Sequence, residues 1–139
     1  GWRRGVRIAA IIAASRSMKA ADGRPAPPIS LISALDAHEN REAGDLVLID
    51  VRSAAERAAT GMPEGALTAH FRDRDFLPQV MRLVGDFDTP TAFISRTGQR
   101  SMQAAMQARA AGFTHLFSVT GGHEGNGGWL ARGLPVVPG

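Results

Sequence analysis

The sequence contains no cysteine. Disulfide frameworks, zinc knuckles and iron–sulfur ligation are excluded with it, and no cofactor is expected. The absence leaves the redox compartment open. No apolar run approaches the roughly 20 residues that a bilayer-spanning helix needs, since Ile8–Ala14 is far shorter. No internal repeat is visible. A basic stripe on the folded body is also missing. Residues 1–24 hold Arg3, Arg4, Arg7, Arg16, Lys19 and Arg24 against Asp22 alone, a balance of +5 within a total of +3, which leaves residues 25–139 at −2. A nucleic-acid partner is therefore not expected for the domain, and neither is a membrane.

What is present describes an ordinary globular chain. At 139 residues, 44% hydrophobic and 21% charged, it suggests one domain with a modest core. Residues 1–28 read as a basic and apolar extension followed by a stiff Gly23–Pro28 linker that cannot be helical, and residues 29–139 as the domain. Residues 1–17 have the basic start, short apolar run and small residues of a minimal secretory signal, and Arg3-Arg4 resembles a twin-arginine pair. A remnant ending before Met18 and a short amphipathic helix packed on the domain are the competing readings. The cytoplasm is the expected location, with export the alternative if residues 1–17 act as a signal.

Along the domain, apolar runs alternate with helical patterns. Leu31–Ala43 reads as a short helix. Leu46–Val51, an apolar run closed by Asp50 and Arg52, is of the kind buried on both faces of a sheet. Ser53 followed by Glu56 is a capping box opening a helix to Thr60. Gly61–Gly65 is turn chemistry and Ala66–His70 a short strand. Asp75–Val84 is helical, Thr91–Ile94 a third apolar run, and Ser101–Ala111 a helix stopped by Gly112. Leu116–Val119 makes a fourth strand, and Gly121-Gly122 leads to a closing Trp129–Pro135 segment. The alternation predicts an α/β fold, a central parallel sheet flanked by helices on both faces. Val47, Leu48, Ile49, Phe93, Ile94, Leu116 and Phe117 are the expected core. The Ala and Met face of residues 102–111 is expected to pack rather than to hold a cofactor.

In open parallel sheets ligands bind beyond the carboxyl ends of the strands. Ser95-Arg96-Thr97-Gly98-Gln99-Arg100 lies there, between a buried strand and a helix start. Such a loop turns successive backbone N–H groups inward as an anion nest, and the helix end adds its dipole and free amides. Arg96 and Arg100 are expected to add fixed positive charge at its two ends. A nucleophile at position 95 sits at the bottom of that field, where a thiol would ionise readily.

This loop resembles the active loop of the rhodanese family, Cys-Arg-x-Gly-x-Arg, with Ser95 in place of the cysteine. Leu48-Ile49-Asp50-Val51-Arg52 with Glu56 is similar to the family's early strand motif. Gly61-Met62-Pro63-Glu64-Gly65-Ala66 is less closely similar to its Gly-His-Ile-Pro-Gly-Ala turn. Gly121-Gly122, Trp129 and Gly133-Leu134-Pro135-Val136 resemble its terminal signature. These motifs fall in order over residues 29–137. The resemblance implies a single-domain sulfurtransferase that takes sulfane sulfur from a small thiosulfate-like anion as a cysteine persulfide and passes it to a thiol or cyanide. It places Ser95 and Arg100 at the catalytic positions and Arg96, Thr97, Gly98 and Gln99 around the substrate. The loop length, Ser95 to Arg100, matches the sulfurtransferases rather than the related phosphatases, whose loop is one residue longer.

The departure at position 95 implies a silenced site, because the sulfur chemistry starts from a thiolate. Either a cysteine has been replaced, or a natural member has lost catalysis; the intact remainder of the loop favours replacement. The competing function is a non-catalytic module using the nest to hold an anion or a partner's carboxylate. A structural domain appended to a membrane or secreted assembly is a third class, resting on residues 1–23 alone. Serine hydrolysis is not favoured, since Phe93 and Thr97 stand where a nucleophile elbow has glycines. His70, His115 and His123 are read as surface or hydrogen-bonded histidines. His115, His123 and Glu124 match no metal-ligand spacing. Gly121–Gly128 lacks a following Lys-Ser/Thr pair and reads as a flexible turn. His70–Arg74, His123 and Glu124 border the expected pocket mouth. Asp50, Arg52 and Glu56 are expected to form one structural charge cluster at the strand end.

Overall fold

The computed structural model describes residues 27–139 and the backbone of residues 10–12. Its elements in chain order are β1 (Ala10–Ile12), β2 (Ile29–Ile32), α1 (Ala34–Glu42), β3 (Val47–Asp50), α2 (Ala54–Thr60), β4 (Met62–Pro63), β5 (Leu67–Thr68), α3 (Phe76–Val84), β6 (Thr91–Ile94), α4 (Gln99–Ala111), β7 (Leu116–Val119) and β8 (Val136–Val137). The main sheet runs β1-β2-β7-β6-β3-β5. Every pairing from β2 through to β5 is parallel, and β1 adds to β2 antiparallel. The α/β architecture with a mostly parallel sheet is as expected.

The four-residue central strands are buried along their length, with side chains alternating between two cores. On one face Ile49, Val51, Phe93 and Leu116 pack against Phe76 and Val80 of α3 and Ala104, Ala105 and Ala108 of α4. On the other, Leu48, Ile94, Phe117 and Val119 meet Ala34 and Ala37 of α1 and Trp129. Alanines let α4 lie close to the sheet, which confirms its small-residue face as packing surface. Burying these apolar side chains contributes about 1.5–3 kcal/mol for each large one. Val47 alone of the expected core is only partly buried.

Three local expectations are corrected. Leu31 and Ile32 belong to β2, not to a helix, and the helix begins only after Ser33, whose hydroxyl accepts from Asp36 N–H. Gly61–Gly65 is not turn alone, because Met62–Pro63 pairs antiparallel with Val136–Val137. The last pairing is fixed by Trp129, fully buried, whose indole N–H donates to the Pro135 carbonyl at 2.7 Å. Ala10–Ile12 are extended rather than helical. The remainder of the expected signal segment 1–17, and residues 23–26 of the linker, lie outside the described residues. The α2 capping box forms as expected, with Ser53 and Glu56 each bonding the other's backbone N–H.

Strand order reverses between β3, whose chain continues to β5, and β6, whose chain continues to β7 on the opposite side. The carboxyl ends of these two central strands therefore open a crevice. Asp50-Val51-Arg52 leaves one strand there and Ser95 leaves the other.

Candidate active site

Ser95 is the first residue after β6 and is 1% exposed. Its hydroxyl oxygen accepts from the backbone N–H of Gly98 at 3.2 Å and of Ser101 at 3.1 Å. The loop thus curls around position 95, and α4 points its N-terminal amides at it. Gly98 makes the curl, with φ +109, a conformation costly for any residue with a Cβ. Both donors face one buried oxygen, which is the local electrostatics expected of an anion nest.

Arg100, the second residue of α4, bonds a carboxylate. Its Nη1 and Nη2 donate to Glu56 Oε1 and Oε2 at 2.8 and 2.6 Å. This bond first, with the Ser53 N–H and the Arg100 charge, outweighs burial and holds the Glu56 carboxyl down from 4.5 to about 2. Glu56 is therefore part of the loop's support and not of the Asp50–Arg52 cluster. Arg96 is 63% exposed at the mouth, with Nε 3.5 Å from Glu124 Oε1. Each loop arginine thus faces a carboxylate, and the backbone N–H groups of Gly98 and Ser101 are the donors that reach the buried Ser95 oxygen. Thr97 and Gln99 are exposed on the loop.

A second layer holds the loop from behind. Asp50 and Arg52 are both completely buried. Arg52 Nε and Nη2 grip the Asp50 carboxylate, Nη2 also donates to Gly61 O at 2.6 Å, and Nη1 donates to Thr60 Oγ1 at 2.8 Å. Nη1 lies 3.5 Å from Glu124 Oε2, so a buried guanidinium finds partners all round. The glycine-rich stretch after β7 is not a flexible turn. His123 N–H and Glu124 N–H donate to Ser95 O and Arg96 O at 2.8 and 2.9 Å. A Cβ on Gly122 would stand 2.5 Å from Ser95 O and 2.6 Å from Arg96 O, so only glycine permits the approach.

His123 is completely buried, and its Nε2 lies 3.0 Å from Thr60 O. A carbonyl only accepts, so Nε2 carries the proton. Burial first, then the Arg52 charge, pushes this imidazole below 6.5 against the Thr60 bond. His123 lies behind the loop rather than at the mouth. His70 pairs at 3.5 Å with Asp73, His115 Nδ1 lies 3.1 Å from Asp88 O, and no metal-binding group occurs among the described residues.

Two residues escaped sequence reasoning. Ser101 Oγ lies 3.2 Å from Ser95 Oγ and 2.7 Å from Ser118 Oγ, and all three hydroxyls are buried. The signal was Ser118, a polar residue inside the apolar strand Leu-Phe-Ser-Val.

The rhodanese-like domain model matches residues 33–126, which takes in both central strands, the loop and the glycine buttress. The chain belongs to the rhodanese-like domain family. Solved structures agree. Rv0390 from M. tuberculosis superposes with a TM-score of 0.67 at 29% identity, covering 78% of this chain and 96% of its own. The polysulfide-sulfur transferase homodimer from Wolinella succinogenes gives 0.64 at 28% identity, covering 78% of each chain. A rhodanese-related protein from Thermoplasma volcanium gives 0.63 at 25% identity, covering 78% and 98%. Among curated proteins none matches. Within this rhodanese-like domain no helix among the described residues is long and apolar enough to cross a membrane.

Proposed function

We propose that this domain is a rhodanese-type sulfurtransferase in which Ser95 stands at the nucleophile position, so that the chain as written does not carry sulfur. The observation that carries the reading is the pair of backbone N–H donors, from Gly98 and Ser101, on the buried Ser95 oxygen. Donors so placed favour an anion at that atom. Family membership and the likeness to a polysulfide-sulfur transferase support sulfur as the cargo.

With cysteine at position 95, the thiolate attacks the sulfane sulfur of thiosulfate. The new S–S bond forms as the sulfur–sulfur bond of the donor breaks, and sulfite leaves with the bonding electron pair. Cyanide or a thiolate then attacks the outer persulfide sulfur; thiocyanate or a new persulfide leaves, and the cysteine thiolate is restored. A serine hydroxyl stays protonated at neutral pH and is a weak nucleophile. Ser95 and Arg100 hold the catalytic positions, Arg100 by fixing the loop through Glu56. Arg96, Thr97, Gly98 and Gln99 surround the donor anion.

Thiosulfate-to-cyanide transfer by this chain beside its Ser95→Cys variant tests the reading. Turnover by the variant alone supports it. Inactivity of both contradicts it and favours a module that uses the same N–H donors to hold an anion or a partner's carboxylate.

A further inference from the structure

Ser118 lies in the middle of β7, its backbone flanked by Phe93 of β6 and Leu31 of β2. Every residue of that strand is buried. A hydroxyl here costs stability unless it is bonded. The bond it makes reaches Ser101 Oγ at 2.7 Å, and Ser101 Oγ reaches both Ser95 Oγ at 3.2 Å and Gly98 O at 3.0 Å. Three buried hydroxyls thus run in a line from the sheet interior to the oxygen at the bottom of the loop.

The protons in that line are constrained. Ser95 Oγ accepts two N–H bonds and donates to Ser101 Oγ. A carbonyl only accepts, so Ser101 spends its one proton on Gly98 O. Ser118 is then the donor to Ser101, which is saturated with two bonds accepted and one given. If the atom at position 95 becomes an anion, its proton goes to solvent and it offers nothing to Ser101. Ser101 can then turn its O–H from Gly98 O towards the anion, while Ser118 keeps donating from behind. A hydroxyl that accepts a bond is a better donor, so the rear bond strengthens the front one.

We infer that Ser101 and Ser118 are positioning residues, a buried hydroxyl relay whose bond to position 95 reverses direction to stabilise an anion there. The inference rests on the reading of position 95 as the nucleophile site and deepens it, but its readout is ionisation rather than sulfur transfer.

The experiment is the pH dependence of alkylation of the cysteine in Ser95→Cys, alone and combined with Ser118→Ala or Ser101→Ala, with thermal unfolding to confirm the fold. A free thiol titrates at about 8.5, and the Ser95→Cys thiol is expected lower. At neutral pH Ser118→Ala should slow alkylation about threefold and Ser101→Ala about tenfold, each by raising the apparent pKa with the rate of the full thiolate kept. Ser101→Thr, which keeps a hydroxyl, should recover most of the loss. Unchanged titration in the folded alanine variants would overturn the inference. If Ser118→Ala does not fold, the Ser101→Ala and Ser101→Thr pair decides the matter by the same titration. Should Ser95→Cys titrate low and respond to both serines yet transfer no sulfur, the relay stands and the sulfurtransferase reading falls.

Discussion

Glu56 and Arg100, 44 residues apart, meet through two side-chain bonds of 2.8 and 2.6 Å that tie the start of α2 to the start of α4. The carboxylate that completes the α2 capping box is the same one that holds the loop arginine. One side chain therefore serves helix initiation and loop geometry together.

Replacing Glu56 with Gln should lower stability by about 1 kcal/mol, the scale of a partly exposed bidentate pair. The pH dependence has a defined sign. The Glu56 carboxyl is lowered on folding from 4.5 to about 2, so its contribution is complete above 4.5 and is lost as pH falls towards 2. Acid unfolding of the parent chain should show this arm, and Glu56→Gln should flatten it. Chemical denaturation across that range is the check.

His123 titrates below 6.5 in the folded chain, so its neutral form is favoured on folding. The unfolded chain then binds the extra proton first, and stability should decline as pH falls below 6.5. His123→Gln can still donate to Thr60 O and has no such proton to gain. Its melting temperature should vary less with pH over that window, whatever its value at neutral pH.

Gly122 and Gly127 both have positive φ, +58 and +69, but only the Gly122 Cβ site is blocked by the carbonyls of Ser95 and Arg96. Gly127→Ala should cost about 1–2 kcal/mol from backbone conformation alone. Gly122→Ala should cost clearly more and should disturb the loop, because backbone must move. Paired thermal melts, with amide chemical shifts of Gly98 and Ser101, separate the two.

Glu124 faces both Arg96 and Arg52 at 3.5 Å. Neutralising it by Glu124→Gln leaves Arg96 free to meet an incoming anion. Thiosulfate or sulfite should bind about two- to threefold more tightly at low ionic strength, and the gain should shrink with added salt. Calorimetric titration of both chains provides the comparison; equal or weaker binding would contradict the assigned pairing.

The sequence patterns that carried through are those set by local physics. Val47–Ile49 and Ala92–Ile94 are apolar because both faces of their sheet are covered, and Ser53 with Glu56 caps a helix by direct bonds three residues apart. Leu31 and Ile32 read as helix because they stand four and three residues before Leu35, and Ser33 as the true N-cap is the boundary that this spacing hides. The loop sequence marked Ser95 to Arg100, but not that Arg100 would turn to Glu56. That pairing depends on strand order, which brings β3 beside β6. Gly121–Gly128 read as flexible because nothing local shows that Gly122 is pressed against another segment's carbonyls. Ser118 was legible as an interruption of an apolar strand; its partner Ser101 was not.

If the N–H donors of Gly98 and Ser101 surround a sulfur-carrying position, a thiol placed there should hold a sulfur atom covalently. The intact mass of the Ser95→Cys variant after thiosulfate, before and after cyanide, reads this without an intervening step. One added sulfur atom is expected on the variant, absent from the serine chain and removed by cyanide. A variant that stays unmodified, while folded and reactive to alkylation, would contradict the assignment of position 95 as the sulfur carrier.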